Sequence, residues 1–246
     1  MSGHSKWANI KNKKGKADAA RGSVFTKLGR ELAVAVKSGG PDPNSNSRLR
    51  DVISKAKASN MPNDTIMRSI KKASGELNSV NYEDMQYEGY ASGGVAVIVE
   101  ALTDNKNRTA GDVRHAFDKC GGALGSNGCV SYLFNKKGLI VVDKGDMSED
   151  DIMMLVLEAG GDDVVTDEDV YEVYTKPQDT GAVREALEKA GCGIVSFETG
   201  FFPDNYVTPA PDAIPAIEKL IGMLEDLDDV QNVYHNADLP EEEEEE

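Results

Sequence analysis

From Ser23 the apolar residues Phe25, Leu28, Leu32 and Val36 return every three or four positions, the spacing of one helical face, until Gly39-Gly40, Pro41 and Pro43 stop the pattern. The same rhythm resumes at Leu49, Val52, Ile53 and Ala56 and runs to Asn60-Met61-Pro62, where a proline suits the first turn of another helix. Ile66, Ile70 and Ala73 continue that helix to Gly75. Three short helices with one apolar face each predict a small bundle.

After Tyr82 the periodicity changes. A strand is expected at 86–90, a β-branched run at 95–102, a helix at 107–119 and a strand at 130–134, which together make an α+β unit. The next segments read as β-α-β-β-α-β at 139–142, 150–159, 164–166, 170–175, 181–190 and 194–201, the ferredoxin-like order. Both of its helices run into an Ala-Gly pair, Ala159-Gly160 and Ala190-Gly191, which suggests two related halves, each closed by a C-terminal glycine. Beyond Pro203, Pro209 and Pro211 a helix at 213–227 and a strand at 230–234 remain, and a lone helix-strand pair needs a sheet to join. The middle unit is the obvious host. The expected fold class is therefore α+β, with three domains: a helical N-terminal bundle plus two α/β, ferredoxin-like domains, the last inserted in the middle one. The expected segments are an arm at 1–22, a three-helix domain at 23–80, an α+β domain at 81–135 plus 207–238, the insertion at 136–206 and an acidic tail at 239–246.

Charge sharpens this picture. The net charge of −16 argues against a polyanionic partner, yet residues 1–75 hold 16 Lys and Arg against 5 Asp and Glu, or +11. The remainder holds 11 basic and 38 acidic residues, or −27. The run Glu241 to Glu246 has nothing apolar to bury and reads as a solvated, disordered tail. Cys120, Cys129 and Cys192 are odd in number and lack CxxC spacing, so neither a disulfide framework nor a zinc site is expected. The first residues lack the apolar stretch of a signal peptide, and no run approaches the roughly 20 apolar residues of a membrane span. A cytosolic protein in a reducing compartment, without membrane contact, is the expectation.

The basic cluster is the strongest chemical signal. Lys6, Lys11, Lys13, Lys14, Lys16 and Arg21 stud the arm, and Lys27, Arg30, Arg48, Arg50, Lys55, Lys57, Arg68, Lys71 and Lys72 fall within the helices. Neutralising phosphates releases condensed counterions, and Arg grips a phosphate with two donors, so such a patch fits a nucleic acid. Trp7 is placed to stack on a base, or to anchor the arm by packing. For any single Lys or Arg the ordinary reading is solvated helix surface; the segregation of +11 within an acidic chain is what favours binding.

Other signals are weaker. Residues 103–109, Thr-Asp-Asn-Lys-Asn-Arg-Thr, sit at a strand-to-helix junction, where Asn105, Arg108 and, further along, Arg114 could hold an anion, although capping by Asn105 or Asn107 is the more ordinary role. Gly121, Gly122, Gly125 and Gly128 follow a helix and precede a strand, the reverse of dinucleotide-binding order, and read as a flexible turn. His4, His115 and His235 are scattered without motif partners, and neither a nucleophile with its base nor a metal cluster is recognisable. No catalytic residue, metal or cofactor is expected.

Ser2-Gly3-His4-Ser5-Lys6-Trp7-Ala8-Asn9-Ile10-Lys11, Pro41-Asp42-Pro43-Asn44, Asn60-Met61-Pro62, the 103–109 segment and the glycine-rich stretch 121–134 together resemble the YebC/PmpR family, from the N-terminus to about Asp238. The resemblance implies three domains with a helical N-terminal one. It implies nucleic-acid binding through the matched basic positions of the arm and helices. Bacterial members are commonly labelled probable transcriptional regulators that bind DNA, others are described as ribosome-associated factors that assist translation through proline-rich stretches, and a mitochondrial relative activates translation of cytochrome c oxidase. The family supplies no established catalytic residues.

The expectation that results is a non-enzymatic nucleic-acid-binding factor in gene expression, favoured on rRNA because no base-reading helix-turn-helix signature and no dimer symmetry are evident. A monomer is expected. The alternative is a DNA-binding transcriptional regulator. More remote are an enzyme acting on a nucleotide or phosphorylated ligand near Arg108, Arg114 and the glycine-rich loop, and an adaptor that recruits a protein partner on the acidic face.

Overall fold

The computed structural model describes residues 21–75, 81–145, 147–167 and 169–239. Helix α1 (Arg21–Gly39) buries Leu28, Leu32, Ala35 and Val36 against Leu49, Val52 and Ala56 of α2 (Ser47–Ala58) and Ile66, Ile70 and Ala73 of α3 (Asn63–Ser74). Each fully buried leucine or isoleucine contributes roughly 1.5–3 kcal/mol. The α1-α2 turn is fastened by one side chain. Asn46, buried, accepts from the Leu49 N–H at 3.0 Å as the N-cap of α2 and donates to the carbonyls of Ala35 and Gly40, both at 2.8 Å. A Cβ on Gly39 would lie 2.7 Å from that carboxamide, so the position requires glycine.

Helix α2 ends where Asn60 takes φ 57°, and the next amide, Met61, donates to Ala56 O at 2.9 Å. A residue in the left-handed conformation followed by this long backward hydrogen bond is a standard helix closure. Glycine makes the same closure after three later helices: Gly121 before the Gly122-to-Phe117 bond, Gly160 before Gly161-to-Val156, and Gly191 before Cys192-to-Leu187. The glycine after each Ala-Gly helix is therefore structural.

The first sheet has the order β3-β1-β2-β8, formed by β1 (Glu83–Tyr90), β2 (Ala96–Thr103), β3 (Ala123–Leu124) and β8 (Val230–His235), with all neighbours antiparallel. Helices α4 (Lys106–Lys119) and α7 (Ile214–Glu225) pack on one another, α4 against β1 and β2 and α7 against β8, burying Val113, Phe117, Ile217, Leu220 and Leu224. The strand late in the chain thus returns to pair with β2, near the start of the same domain.

The second sheet has the order β5-β6-β4-β7, from β4 (Phe134–Asp143), β5 (Asp163–Thr166), β6 (Val170–Thr175) and β7 (Ile194–Pro203), again antiparallel throughout. With α5 (Glu149–Ala159) and α6 (Thr180–Lys189) it has the strand order of a ferredoxin-like fold. Ile140, Val142, Tyr171 and Val173 bury Ile152, Val156, Val183 and Leu187 of those helices. Residues Tyr132–Tyr206 form one compact unit; the helical bundle and the first sheet share the other.

Two local expectations change. No strand forms at 130–134: the Val130 amide is taken by a side chain, a 3-10 turn occupies Ser131–Leu133, and Phe134 opens β4. The glycine-rich stretch is not a loose turn but contains β3 and is fastened to β1.

Candidate nucleic-acid interface

The cations of the bundle singled out by the sequence fall into two groups. Lys27 and Arg30 project from α1 toward the first sheet's domain. Lys27 Nζ donates to Glu225 O at 2.6 Å; Arg30 donates to Asp228 O at 2.6 Å and to the Asp229 carboxylate, and its guanidinium lies 5.7 Å from the Tyr82 ring centroid. These two belong to the join between bundle and sheet. Arg48, Arg50, Lys55, Lys57, Arg68, Lys71 and Lys72 are exposed. Arg50 and Lys57 are seven residues apart on α2, about 10.5 Å along one stripe. Arg68, Lys71 and Lys72 share the face of α3 opposite its buried Ile66, Ile70 and Ala73. Lys55 pairs with Glu31 at 2.8 Å, an exposed pair that stabilises little. Lys6, Trp7, Lys11, Lys13, Lys14 and Lys16, like the Glu241–Glu246 tail, lie outside the described residues, and Arg21 is the first residue of α1.

The 103–109 segment is built around a carboxylate that is remote in sequence. Asp229, buried, accepts from Arg108 Nη2 at 2.7 Å, Thr109 Oγ1 at 2.7 Å and Thr103 Oγ1 at 3.2 Å, besides Arg30. Burial alone would raise its pKa, but the Arg108 and Thr109 hydrogen bonds and the Arg30 charge hold it below the ordinary carboxylate range. Arg108 also binds Asp104 at 2.8 Å, and these hydrogen bonds to Asp229 and Asp104 push its pKa up. Asn105 caps α4, accepting from the Arg108 N–H at 3.1 Å. The anion-site expectation for Asn105 and Arg108 therefore gives way to capping and an internal ion pair, while Arg114 lies exposed on α4.

A second buried carboxylate organises the glycine-rich loop. A Cβ on Gly89 would lie 2.8 Å from Phe117 of α4, so the adjacent Glu88 points to the opposite face of the sheet. Its Oε1 accepts from the Gly128 N–H at 2.9 Å and Gln86 Nε2 at 3.0 Å; its Oε2 accepts from the N–H groups of Val130 at 2.9 Å and Ser131 at 2.8 Å. Burial would raise the Glu88 pKa, and these donors, led by the three backbone amides, lower it overall. The loop amides that would cradle a phosphate are thus occupied by the protein's own carboxylate. Nothing in the sequence marked either Glu88 or Asp229, because each is an acid among many.

Among the described residues, the face of the ferredoxin-like sheet away from its helices keeps the rings of Tyr174 and Phe202 covered, unlike the open stacking platforms that single-stranded RNA uses. Leu139 and Val141 are buried, and the buried rings of Tyr174 and Phe202 meet edge-on at 6.1 Å. An open cavity of about 610 Å³ on this domain is lined by Asp143, Lys144, Met147, Asp151 and Cys192, whose two carboxylates suit it poorly to an anion. Among the described residues no group of three or more His, Cys, Asp and Glu could hold a metal ion, and no helix is long and apolar enough to cross a membrane.

A basic helical bundle ion-paired to an α+β domain, into which a ferredoxin-like unit is spliced, defines a multidomain class with its cations concentrated at one end of the chain. Residues 5–76 match the TACO1/YebC protein N-terminal domain and residues 82–237 the TACO1/YebC second and third domain, so the chain belongs to the TACO1/YebC family. It is 60% identical over 238 residues to a probable transcriptional regulatory protein of Acetivibrio thermocellus, covering 96% of this chain and 98% of that one. It is 59% identical over 242 residues to a protein of the same description from Clostridium botulinum, covering 98% of each. The crystal structure of a conserved hypothetical protein from Aquifex aeolicus superposes with a TM-score of 0.81 at 46% identity, covering 94% of this chain and 96% of that one.

Proposed function

We propose that this protein is a non-enzymatic regulator of gene expression in the cytoplasm that binds nucleic acid through the exposed cations of its bundle and arm. The observation that carries the reading is the division of charge: seven exposed Arg and Lys on α2 and α3, in an N-terminal region of +11 attached to a remainder of −27. Exposed cations on a rigid bundle gain by counterion release, and the acidic remainder repels the same polyanion, so the phosphates are gripped at the bundle end. Arg30 and Lys27 act in this reading as struts that fix the bundle to the body.

Within that function rRNA on the ribosome is the favoured target, with the protein acting as a monomer that assists synthesis through proline-rich stretches; the family resemblance and the lack of a base-reading helix-turn-helix signature support it. A second reading, a DNA-binding transcriptional regulator, is favoured by the description its relatives carry. Titration of the purified protein with labelled RNA and DNA duplexes across a salt series tests both. Binding that weakens steeply with salt, and less steeply in R68E/K71E, supports the interface. Salt-independent binding, or none, removes it.

A further inference from the structure

The turn at the tip of the glycine-rich loop is more firmly held than its exposure would suggest. Gly125, Ser126, Asn127 and Gly128 are all exposed, yet the Cys129 N–H donates to Ser126 O at 3.1 Å and Gly128 sits at φ 90°, the third position of a tight turn that requires glycine. Five hydrogen bonds tie this turn and the two residues that follow it to β1. The Gly125 N–H donates to Glu88 O at 2.8 Å, Glu88's carboxylate takes the amides of Gly128, Val130 and Ser131, and Tyr90 OH donates to Cys129 O at 3.3 Å. A Cβ on Gly125 would lie 2.5 Å from Cys129 Sγ. A buried charge thus fixes a tip that is itself exposed. Such an element is preorganised, because its ordering entropy is lost on folding rather than on binding. The tip carries no charge and exposes Ser126 and Asn127, whose hydroxyl and carboxamide, unlike Lys and Arg, can both donate to and accept from base and sugar edges.

We propose that the 125–129 turn is a preformed reading finger that hydrogen-bonds the groove edge of a nucleic acid through Ser126 and Asn127, while the bundle holds the phosphates. The proposal rests on the nucleic-acid reading above and adds the element that discriminates. It also fixes a span. The bundle meets the first sheet at Tyr82, where β1 begins, and the loop is anchored at Glu88 and Gly89 near its other end, seven residues or about 24 Å away. A duplex held by the bundle and read by the finger has to bridge that separation, about seven base pairs at the roughly 3.4 Å rise of B-DNA and somewhat more at the shorter rise of A-form RNA.

The experiment measures affinity and salt slope for RNA and DNA duplexes of about 8 to about 24 base pairs, using the full chain, S126A/N127A, N127D and R68E/K71E, with circular dichroism confirming the fold of each. The wild type is expected to show a step in affinity with duplex length. S126A/N127A is expected to lose that step, about five- to tenfold, at unchanged salt slope, as two missing hydrogen bonds imply. N127D places a charge against the polyanion and loses at least as much. The larger step, in RNA or in DNA, names the source. If S126A/N127A binds like wild type at every length while R68E/K71E is weakened, or if no length step exists, the finger is wrong and the bundle interface stands. If R68E/K71E binds like wild type, the interface on which the finger depends fails.

Discussion

Replacing Glu88 by glutamine keeps the side chain's shape and removes its charge, which isolates what the carboxylate does for the loop. The amide NH2 must take the place of one carboxylate oxygen. At the Oε2 position it would face two donors, the N–H groups of Val130 and Ser131, whereas at Oε1 it faces the Gly128 N–H and Gln86, whose own amide can turn to accept. The second arrangement is less costly: one backbone amide is left without an acceptor, at about 1–3 kcal/mol, and two charge-assisted bonds become neutral, at about 0.5–1 kcal/mol each. E88Q should therefore cost about 2–5 kcal/mol, or roughly 4–20 °C in Tm at about 2–4 °C per kcal/mol for a chain of this size. The pH dependence carries the sign. Because the folded-state pKa of Glu88 is lowered, its contribution is complete above the ordinary glutamate range near 4.3 and is lost as pH falls through the lower folded value. Urea unfolding of both proteins at about pH 7 and about pH 3.5 should then show a gap that narrows on acidification. A difference below about 0.5 kcal/mol at neutral pH, or a gap that widens in acid, would refute the argument.

D229N leaves Arg30 and Arg108 facing a neutral group and should cost about 3–5 kcal/mol, with amides of α1 exchanging faster by hydrogen-exchange mass spectrometry. Its depressed pKa makes this stabilisation, too, present above the ordinary aspartate range and lost below it. G138A drives a methyl into the hydroxyls of Thr180 and Thr175 and should cost about 1–3 kcal/mol in thermal melts without changing nucleic-acid affinity. N105A removes the α4 cap for about 1 kcal/mol, and if it also abolished binding, Asn105 would have to be counted as a ligand rather than a cap. Neutralising Arg50, Lys57, Arg68 and Lys71 together should reduce the salt slope of binding by up to about 3.6, at about 0.9 for each phosphate that is no longer neutralised.

The helices were legible because each buries a single stripe: Leu28, Leu32 and Val36 on α1, and Ile66, Ile70 and Ala73 on α3, recur at helical period and face one core. The ferredoxin-like order was legible from its repeated helix closures, since only a left-handed residue can end a helix that way, and Gly160 and Gly191 supply it. Strand β4 was read too short because Asn135, Lys136 and Lys137 are exposed and polar; backbone pairing with Phe202, Phe201 and Gly200, not side-chain pattern, makes them strand. Two-residue β3 has no period to detect. The cation cluster was visible in composition, but its division was not, since Lys27 and Arg30 look like Arg50 and Lys57 until Asp229, 199 residues from Arg30, is brought beside them. Glu88 was hidden for the same reason: an acid in a strand reads as surface until its partners fold over it.

The most direct test of the central claim is ultraviolet crosslinking in cells followed by sequencing of the attached nucleic acid, comparing the wild type with a variant neutralised at Lys11, Lys13, Lys14, Lys16, Arg68 and Lys71. The account predicts abundant crosslinks, concentrated on rRNA and absent from the variant. Crosslinks no richer than background, or equally rich in both proteins, would contradict it, and enrichment on promoter DNA that the variant loses would keep the interface and move the target to transcription.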